Sequence, residues 1–373
     1  MPGSTIAKTV GVITYHYFHN YGAVLQAYAL CSVIAQLGHS CQIIDFCPEP
    51  NFSRQIAFSL NPRRWPGVLV RMWFSQDNSL YRKRFDAFIA NHLPLTEHCY
   101  TTAKELEQNP PLFDTYVCGS DQVWHPLLLN REFGLPFLLS FVPEGKRRVS
   151  YAASFGVSEI PEQYRQKMAD LLCRFDAISV REDVGCSIVK SLTGKDAKHV
   201  VDPTFLLTPE DYQQIAVAPP YSDFVLVYPM ETGLNQSFVR LVELVKSKIK
   251  LPFVFVFPDG YSNIWLRLAD KVRLDAGPKE FVGLIDRARL VLTNSFHGTA
   301  LSIILGRPFL GVPHSSTNAR IRSLLQVLNL QARQLVDFNE IDDRFLDISD
   351  YSVAFELLSK WIEFSLDFLR SEL

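Results

Sequence analysis

A repeated alternation of short β-rich runs with helical stretches constrains this chain more than any other feature. Thr9 to Thr14 is a β-rich run. Val24 to Leu37 carries apolar residues at helical spacing and stops at Gly38, and Cys41 to Phe46 is the next strand. Strand, loop, helix, strand is the sign of a parallel sheet with crossover helices. The pattern predicts further strands at Thr115 to Cys118, Arg148 to Ala152, Ala177 to Val180 and His199 to Val201. It breaks at the proline-rich Val217 to Pro220 and then restarts. Phe224 to Tyr228, Phe253 to Phe257, Leu290 to Thr293 and Phe309 to Val312 read as strands, and Gln236 to Lys248 as a helix.

At 373 residues the chain is too long for one ordinary core and suits two. The expected fold class is α/β, with two doubly wound Rossmann-like domains in a GT-B-like arrangement around an interdomain cleft. Residues 1–215 are expected to form an N-terminal domain on the acceptor side, with a basic helical insert at 51–100. Residues 216–345 form the C-terminal domain on the donor side, and 346–373 a helix that packs back on the body. Within that helix Ala354, Leu357 or Leu358, Trp361, Phe364 and Phe368 fall on one stripe. Ligands of such sheets bind beyond the carboxyl ends of the strands.

Composition excludes several functions. The formal net charge of −2 does not suit a nucleic-acid binder. No apolar run reaches the roughly 18 residues that span a bilayer, and Met1 to Ile13 lacks the basic-then-apolar order of a signal peptide, so the expected location is cytoplasmic. The seven cysteines show no C-x-x-C spacing and read as buried, reduced thiols, with no metal site expected. In 51–85, Arg54, Arg63, Arg64, Arg71, Arg82, Lys83 and Arg84 face one acid, Asp77, with Trp65, Trp73 and Phe74 interleaved. A solvated basic face is the plain reading. The sharper one is peripheral contact with the inner face of a membrane or with a lipid-diphosphate-linked acceptor.

Five clusters at strand ends carry polar chemistry. Asn20-Tyr21-Gly22 lies between strand and helix, where glycine lets backbone approach a ligand and a helix start favours an anion; a helix cap explains Asn20 equally well. Ser120-Asp121-Gln122 follows the strand ending at Cys118. Asp121 can accept a proton or hydrogen bond from a sugar hydroxyl, Gln122 can bind another, and Trp124 can stack on a sugar face or be buried. Ser154 follows the strand through Ala152 and can donate to a phosphate or carboxylate. Arg181, at the end of another strand, offers a fork for a carboxylate or phosphate; a structural ion pair is the alternative. Glu182 reads first as a helix-start acid. Ser295, Phe296, His297, Gly298 and Thr299 follow Leu290 to Thr293 and put a histidine, suited to proton transfer near neutrality, beside a helix start. The chain has no G-x-x-x-x-G-K-[ST], no full G-x-G-x-x-G, no D-x-D and no G-x-S-x-G. That weighs against metal-dependent nucleotide-sugar transfer and α/β-hydrolase chemistry.

These clusters resemble the polysaccharide pyruvyl transferase family. The matching stretches are NYGAVLQAYAL within Gly11 to Leu30, FDTYVCGSDQVW at Phe113 to Trp124, RVSYAASFG at Arg148 to Gly156, ISVRE at Ile178 to Glu182, VDPTFLL at Val201 to Leu207 and LTNSFHGTALSIILGRP at Leu292 to Pro308. The resemblance implies a GT-B-like fold, phosphoenolpyruvate as donor, no cofactor, and a pyruvate ketal formed on a sugar of an envelope polysaccharide or exopolysaccharide or of its lipid-linked precursor. It implies donor contacts at Arg181 and the His297 loop, with Asp121 near the reacting groups. Some relatives carry an arginine where this chain has Ser295, and Arg148, Arg320 or Arg322 is expected to replace that cation, Arg320 being counted among the substrate contacts. The rival readings are a metal-independent GT-B glycosyltransferase using a nucleotide-sugar and a non-catalytic glycan-binding relative.

Overall fold

The computed structural model describes residues 7–48, 75–130, 132–230, 235–257, 263–313, 319–335, 346, 348 and 351–373. Two parallel sheets organise them. The first contains β1 (Thr9–Ile13), β2 (Ser40–Ile43), β3 (Thr115–Cys118), β4 (Arg147–Ala153), β5 (Ala177–Val180) and β6 (Lys198–His199), in the order β2-β1-β3-β4-β5-β6. The second contains β7 (Val225–Tyr228), β8 (Phe253–Val256), β9 (Lys271–Arg273), β10 (Leu290–Thr293) and β11 (Phe309–Leu310), in the order β11-β10-β7-β8-β9.

The central strands are continuous apolar runs because helices cover both faces of each sheet. Every residue of β3, β7, β8 and β10 is buried. The main crossover in the first sheet is α1 (Tyr21–Gln36), which starts where the Asn20 side chain accepts a hydrogen bond from Ala23 N. It is followed by Gly38 in the left-handed region, φ +90°, which glycine adopts at little cost. The second unit uses α7 (Gln236–Lys248), α9 (Pro278–Arg287) and α10 (Phe296–Ile304) in the same way. A single core of buried residues runs from α1 and β1 through to α9, α10 and β10, so the two sheets share packed interior.

Tyr21 is the clearest joint between the units. Its ring stacks on Phe281 of α9 with centroids 4.1 Å apart, and its hydroxyl donates to Ala276 O at 2.7 Å. It therefore acts as an inter-unit contact and not as the free ligand group expected above. The helix α2 (Ser75–His92) adds a second joint, where Arg84 pairs with Asp275 at 2.6 Å and Glu280 at 3.2 Å. Arg84 is thus neutralised within the fold, whereas Arg82 and Lys83 are exposed. The remaining arginines and aromatics of the basic insert, from Arg54 to Phe74, lie outside the described residues.

The last helix, α12 (Tyr351–Glu372), crosses from one unit to the other. Tyr351 donates to Arg307 O at 2.7 Å, Trp361 Nε1 donates to His199 O at 3.1 Å, and Ser365 accepts from Val201 N at 3.0 Å. Ala354, Leu358 and Phe368 are buried as the stripe predicts, but Phe364 is 45% exposed and Ser365 takes the inner position. The inner face carries a buried hydroxyl at that point because Val201 N, just past β6, needs an acceptor. Among the described residues, no helix is long and apolar enough to cross a membrane.

Candidate active site

The carboxyl ends of β3, β4, β5 and β10 meet at one buried polar cluster, and its hub is Asp202. This carboxylate follows β6 and caps the short turn Pro203–Leu206, with Oδ1 accepting from Thr204 N at 3.0 Å and from its hydroxyl at 2.8 Å. Its other oxygen accepts from Ser120 Oγ at 2.7 Å and from Arg181 Nη1 at 2.8 Å. His297 Nε2 approaches the same oxygen to 3.8 Å. Burial alone would raise the Asp202 carboxyl, but His297 and Arg181 together hold it well below the usual carboxylate range.

Arg181, at the tip of β5, is fully enclosed. Besides Asp202 and Ser120 it reaches Asp121 Oδ1 at 3.5 Å, and its guanidinium lies 4.6 Å from the centroid of the Phe296 ring. Desolvation opposes its charge, but Asp202, Asp121 and Glu182 outweigh it and raise its pKa. The structural ion pair is thus real. It leaves Nε without a hydrogen-bond partner among the described residues.

Asp121 sits at φ +78°, a conformation uncommon outside glycine. The loop is held there by Ser154 N donating to Asp121 O at 3.0 Å and Trp124 N donating to Ser154 O at 3.1 Å. The register of β4 shifts between Ser150 and Ala153, where Ala152 is also left-handed at φ +52°. Bulges of this kind re-aim the side chains that follow. Ser154 is thereby turned to donate its hydroxyl to Glu182 Oε1, and so is not free for a substrate oxyanion. Glu182 heads α5 (Asp183–Thr193) but makes no side-chain cap, contrary to its plain reading as a helix-start acid. Burial raises its carboxyl above the ordinary value, against the pull of Arg181, Ser154 and Arg320.

Arg320, on α11 (Ala319–Val327), closes the cluster from the second unit. The Gln122 side-chain amide faces this guanidinium, and with its oxygen turned toward Arg320 it accepts from Nη2 at 2.5 Å and Nη1 at 3.0 Å, which engages Gln122 with the arginine. Burial and the neighbouring Arg181 charge push Arg320 down to about 10. Of the three arginines offered as replacements for the missing cation, Arg320 alone is here. Arg148 donates to Val142 O, Pro143 O and Lys146 O, and Arg322 is exposed.

His297 enters from the first turn of α10. Its ring lies directly on Gly22: a Cβ there would fall 1.9 Å from Nδ1. Gly22 therefore admits an imidazole from the other unit rather than a ligand. Ser295 caps α10 by accepting from Gly298 N at 3.3 Å, and a Cβ on Gly298 would fall 2.6 Å from Thr293 Oγ1. Asn20, Ser295 and Gly298 thus serve local structure, and Thr299 is buried in the helix. Trp124 is also buried, its Nε1 donating to Phe137 O at 3.0 Å, so it cannot stack on a sugar face.

The structure thus gathers Ser120, Asp121, Gln122, Ser154, Arg181, Phe296, His297 and Arg320, and adds Asp202 and Glu182. Asp202 escapes a sequence reading because Asp-Pro after a strand signals a turn, and nothing local marks its tertiary partners. The Nε2 of His297 and the Nε of Arg320, like that of Arg181, are buried without a hydrogen-bond partner among the described residues. Outside the cluster, His16, Asp45 and Cys47 bring three metal-competent side chains together, a grouping that cysteine spacing does not reveal.

The fold has likenesses among solved structures. Arabidopsis thaliana UGT89C1 complexed with UDP-L-rhamnose gives a TM-score of 0.52 at 13% identity, covering 99% of this chain and 99% of that one. The same protein complexed with quercetin gives 0.51 at 14% identity, covering 98% and 99%. At such identity the likeness shows the fold, two Rossmann-like domains in a GT-B-like arrangement. No curated protein shows a significant match to the sequence. A family model described as polysaccharide pyruvyl transferase matches residues 20–316, a span that holds every member of the cluster except Arg320. The chain therefore belongs to the polysaccharide pyruvyl transferase family, whose members are enzymes that transfer pyruvate onto polysaccharide.

Proposed function

We propose that the enzyme uses phosphoenolpyruvate as donor and closes a pyruvate ketal on two hydroxyls of a sugar, releasing phosphate. The observation that carries this reading is a set of three buried nitrogens that make no hydrogen bond among the described residues: Arg320 Nε, Arg181 Nε, whose nearest acid is Glu182 Oε1 at 3.8 Å, and His297 Nε2, 3.8 Å from Asp202. An unsatisfied buried polar atom is costly. Three around one cluster suit a ligand that brings oxyanions, and phosphoenolpyruvate brings a carboxylate and a phosphate.

In the proposed mechanism His297 delivers or relays a proton to the methylene carbon, leaving C2 an oxocarbenium-like electrophile. A sugar hydroxyl, oriented by Asp121, adds to C2 and gives up its proton. The C2–O bond to phosphate then breaks with its electron pair on the phosphate. The second hydroxyl adds to C2, loses its proton, and closes the ring. Arg181 and Arg320 hold the donor's anionic groups and stabilise the charge that builds on the leaving phosphate. Asp202 positions Arg181 and Ser120. The first unit would contribute the acceptor group Asp121, and the second the donor groups His297 and Arg320. The acceptor would be a polysaccharide sugar or its lipid-linked precursor, met at the inner face of a membrane.

Phosphate release from phosphoenolpyruvate, measured with galactosides, mannosides and lipid-linked oligosaccharides and followed by mass analysis of the glycan, tests the proposal. Release with a pyruvate-sized gain on one acceptor is expected. Transfer from a nucleotide-sugar instead would make the protein a glycosyltransferase. Acceptor binding without release from any donor would make it a glycan-binding relative.

A further inference from the structure

Two of the seven cysteines meet at the edge of the first sheet. Cys31 lies in the second half of α1 and is 3% exposed, and Cys41 lies on β2 and is half-buried. Their sulfurs stand 2.7 Å apart. Carbon atoms in plain contact rest at about 3.5–4.0 Å, and sulfur is the larger atom. A disulfide bond measures about 2.05 Å. The observed spacing is therefore well inside the contact distance of two separate thiols, and closing it to a bond moves the sulfurs by about 0.65 Å.

The backbone fixes both partners. Leu37 N donates to Val33 O at 2.9 Å and His39 N to Ile34 O at 3.2 Å, so the chain leaves α1 in a tight turn through Gly38. Ser40 N then donates to Lys8 O at 2.9 Å, and β2 runs beside β1 with Cys41 opposite Val10. The short connection between helix and strand thus brings the two side chains together. Access is one-sided: an oxidant can reach Cys41, whereas Cys31 belongs to the packed core. Burial keeps the Cys31 thiol protonated, with its pKa well above the ordinary value. The remaining cysteines are differently placed. Cys118 is buried with only Gly119 O recorded near its sulfur, at 3.9 Å, and Cys173 is exposed.

We propose that Cys31 and Cys41 form a reversible disulfide site, oxidised by hydroperoxides and reopened by small thiols. The Cys41 thiolate attacks one peroxide oxygen. The O–O bond breaks with its electron pair on the departing oxygen, which leaves as water, and Cys41 becomes a sulfenic acid. The Cys31 sulfur then attacks the Cys41 sulfur, the S–O bond breaks, and the Cys31 proton leaves with the hydroxyl as water. In sum, two thiols give up two electrons and two protons, and hydrogen peroxide is reduced to two waters. A small thiol reverses the change by exchange through a mixed disulfide. In a reducing compartment such a pair stays open until an oxidant appears. The closed bond ties α1, whose first turn seats His297 against Gly22, to the edge of the first sheet. The site is independent of the donor proposed above, so the two fail separately.

The test starts from the reduced full-length protein, freed of reductant, treated with hydrogen peroxide, then denatured and alkylated with a maleimide. Fragment mapping by mass should find Cys31 and Cys41 both unalkylated and joined within one chain, with the mass lower by two hydrogens. Dithiothreitol should restore alkylation of both. Because this readout uses the unaltered protein, it does not depend on any variant folding. Cys31→Ala should stop the reaction at the Cys41 sulfenic acid, trapped by a dimedone-type probe, and Cys41→Ser should leave Cys31 a free thiol. Full alkylation of Cys31 and Cys41 after a peroxide treatment that oxidises the exposed Cys173 would overturn the proposal and leave the two as unreactive packed thiols. A bond from either cysteine to a different one would overturn it equally.

Discussion

Asp202 and Gly22 show how single residues build the cluster. Removing one partner of a buried ion pair typically costs about 3–5 kcal/mol, so Asp202→Asn, which leaves Arg181 only the more distant Asp121 and Glu182, should lose up to about that much in urea unfolding at pH 7. Folding holds the Asp202 carboxyl below its ordinary value of 3.8. Its stabilisation is therefore complete above that value and declines as the pH falls below it, and the gap between variant and wild type should close in acid. Glu182 has the opposite sign. Its folded pKa is raised above 4.5, so its favourable contribution belongs to low pH and is lost as the pH rises. Glu182→Gln should accordingly gain stability relative to wild type as the pH increases from 4 toward 7. Gly22→Ala drives a methyl into His297; overpacking of this kind costs about 1–3 kcal/mol, and turnover should fall with it. His297→Ala should lower turnover by about 10²–10⁴, the range for a lost acid–base group, with the fold retained by circular dichroism. The candidate residues at strand tips were legible because polar groups placed after an apolar run must face the cleft. Their partners were not. Nothing near Gly22 in the chain announces a histidine 275 positions away, and nothing near Trp124 announces the aromatic cluster that buries it.

At the level of elements, the strands of the first sheet and four of the second were legible to within about three residues, whereas the edge strand β9 (Lys271–Arg273), only partly apolar, was not anticipated. Thr115–Cys118, Ala177–Val180 and Leu290–Thr293 are continuous apolar runs that only a doubly covered parallel sheet can bury. Helix starts were legible as polar residues before apolar periodicity, but a helix cap and a ligand contact use the same residue types. Geometry gives Asn20 and Ser295 to the caps. Ser295→Ala should thus destabilise by about 0.5–2 kcal/mol, as lost N-caps do, read from the shift in thermal midpoint. Turnover should also drop, because α10 aims His297. In α12 the 3.6-residue period identified the buried face, but Phe364 and Ser365 are neighbours at its edge. Only the acceptor needed by Val201 N decides which one turns inward.

On the scale of the whole molecule, the proposed site depends on the two sheets being held together at their strand ends. Tyr21, Arg84 and α12 tie the units together, and the shared core leaves little freedom for Arg181 and His297 to separate. The alternation of strand and helix, with its break near Pro220, made the two-sheet plan legible. The mutual placement of the sheets was not, since it depends on side chains far apart in sequence. The most direct test of the account is calorimetric binding of phosphoenolpyruvate to the wild type and to Arg320→Ala, a variant that leaves the Arg181–Asp202 pair intact. A charged hydrogen bond contributes about 1.5–3 kcal/mol, so the account predicts binding by the wild type and an affinity roughly 10–150-fold weaker in the variant. Equal affinity in the two proteins would contradict it.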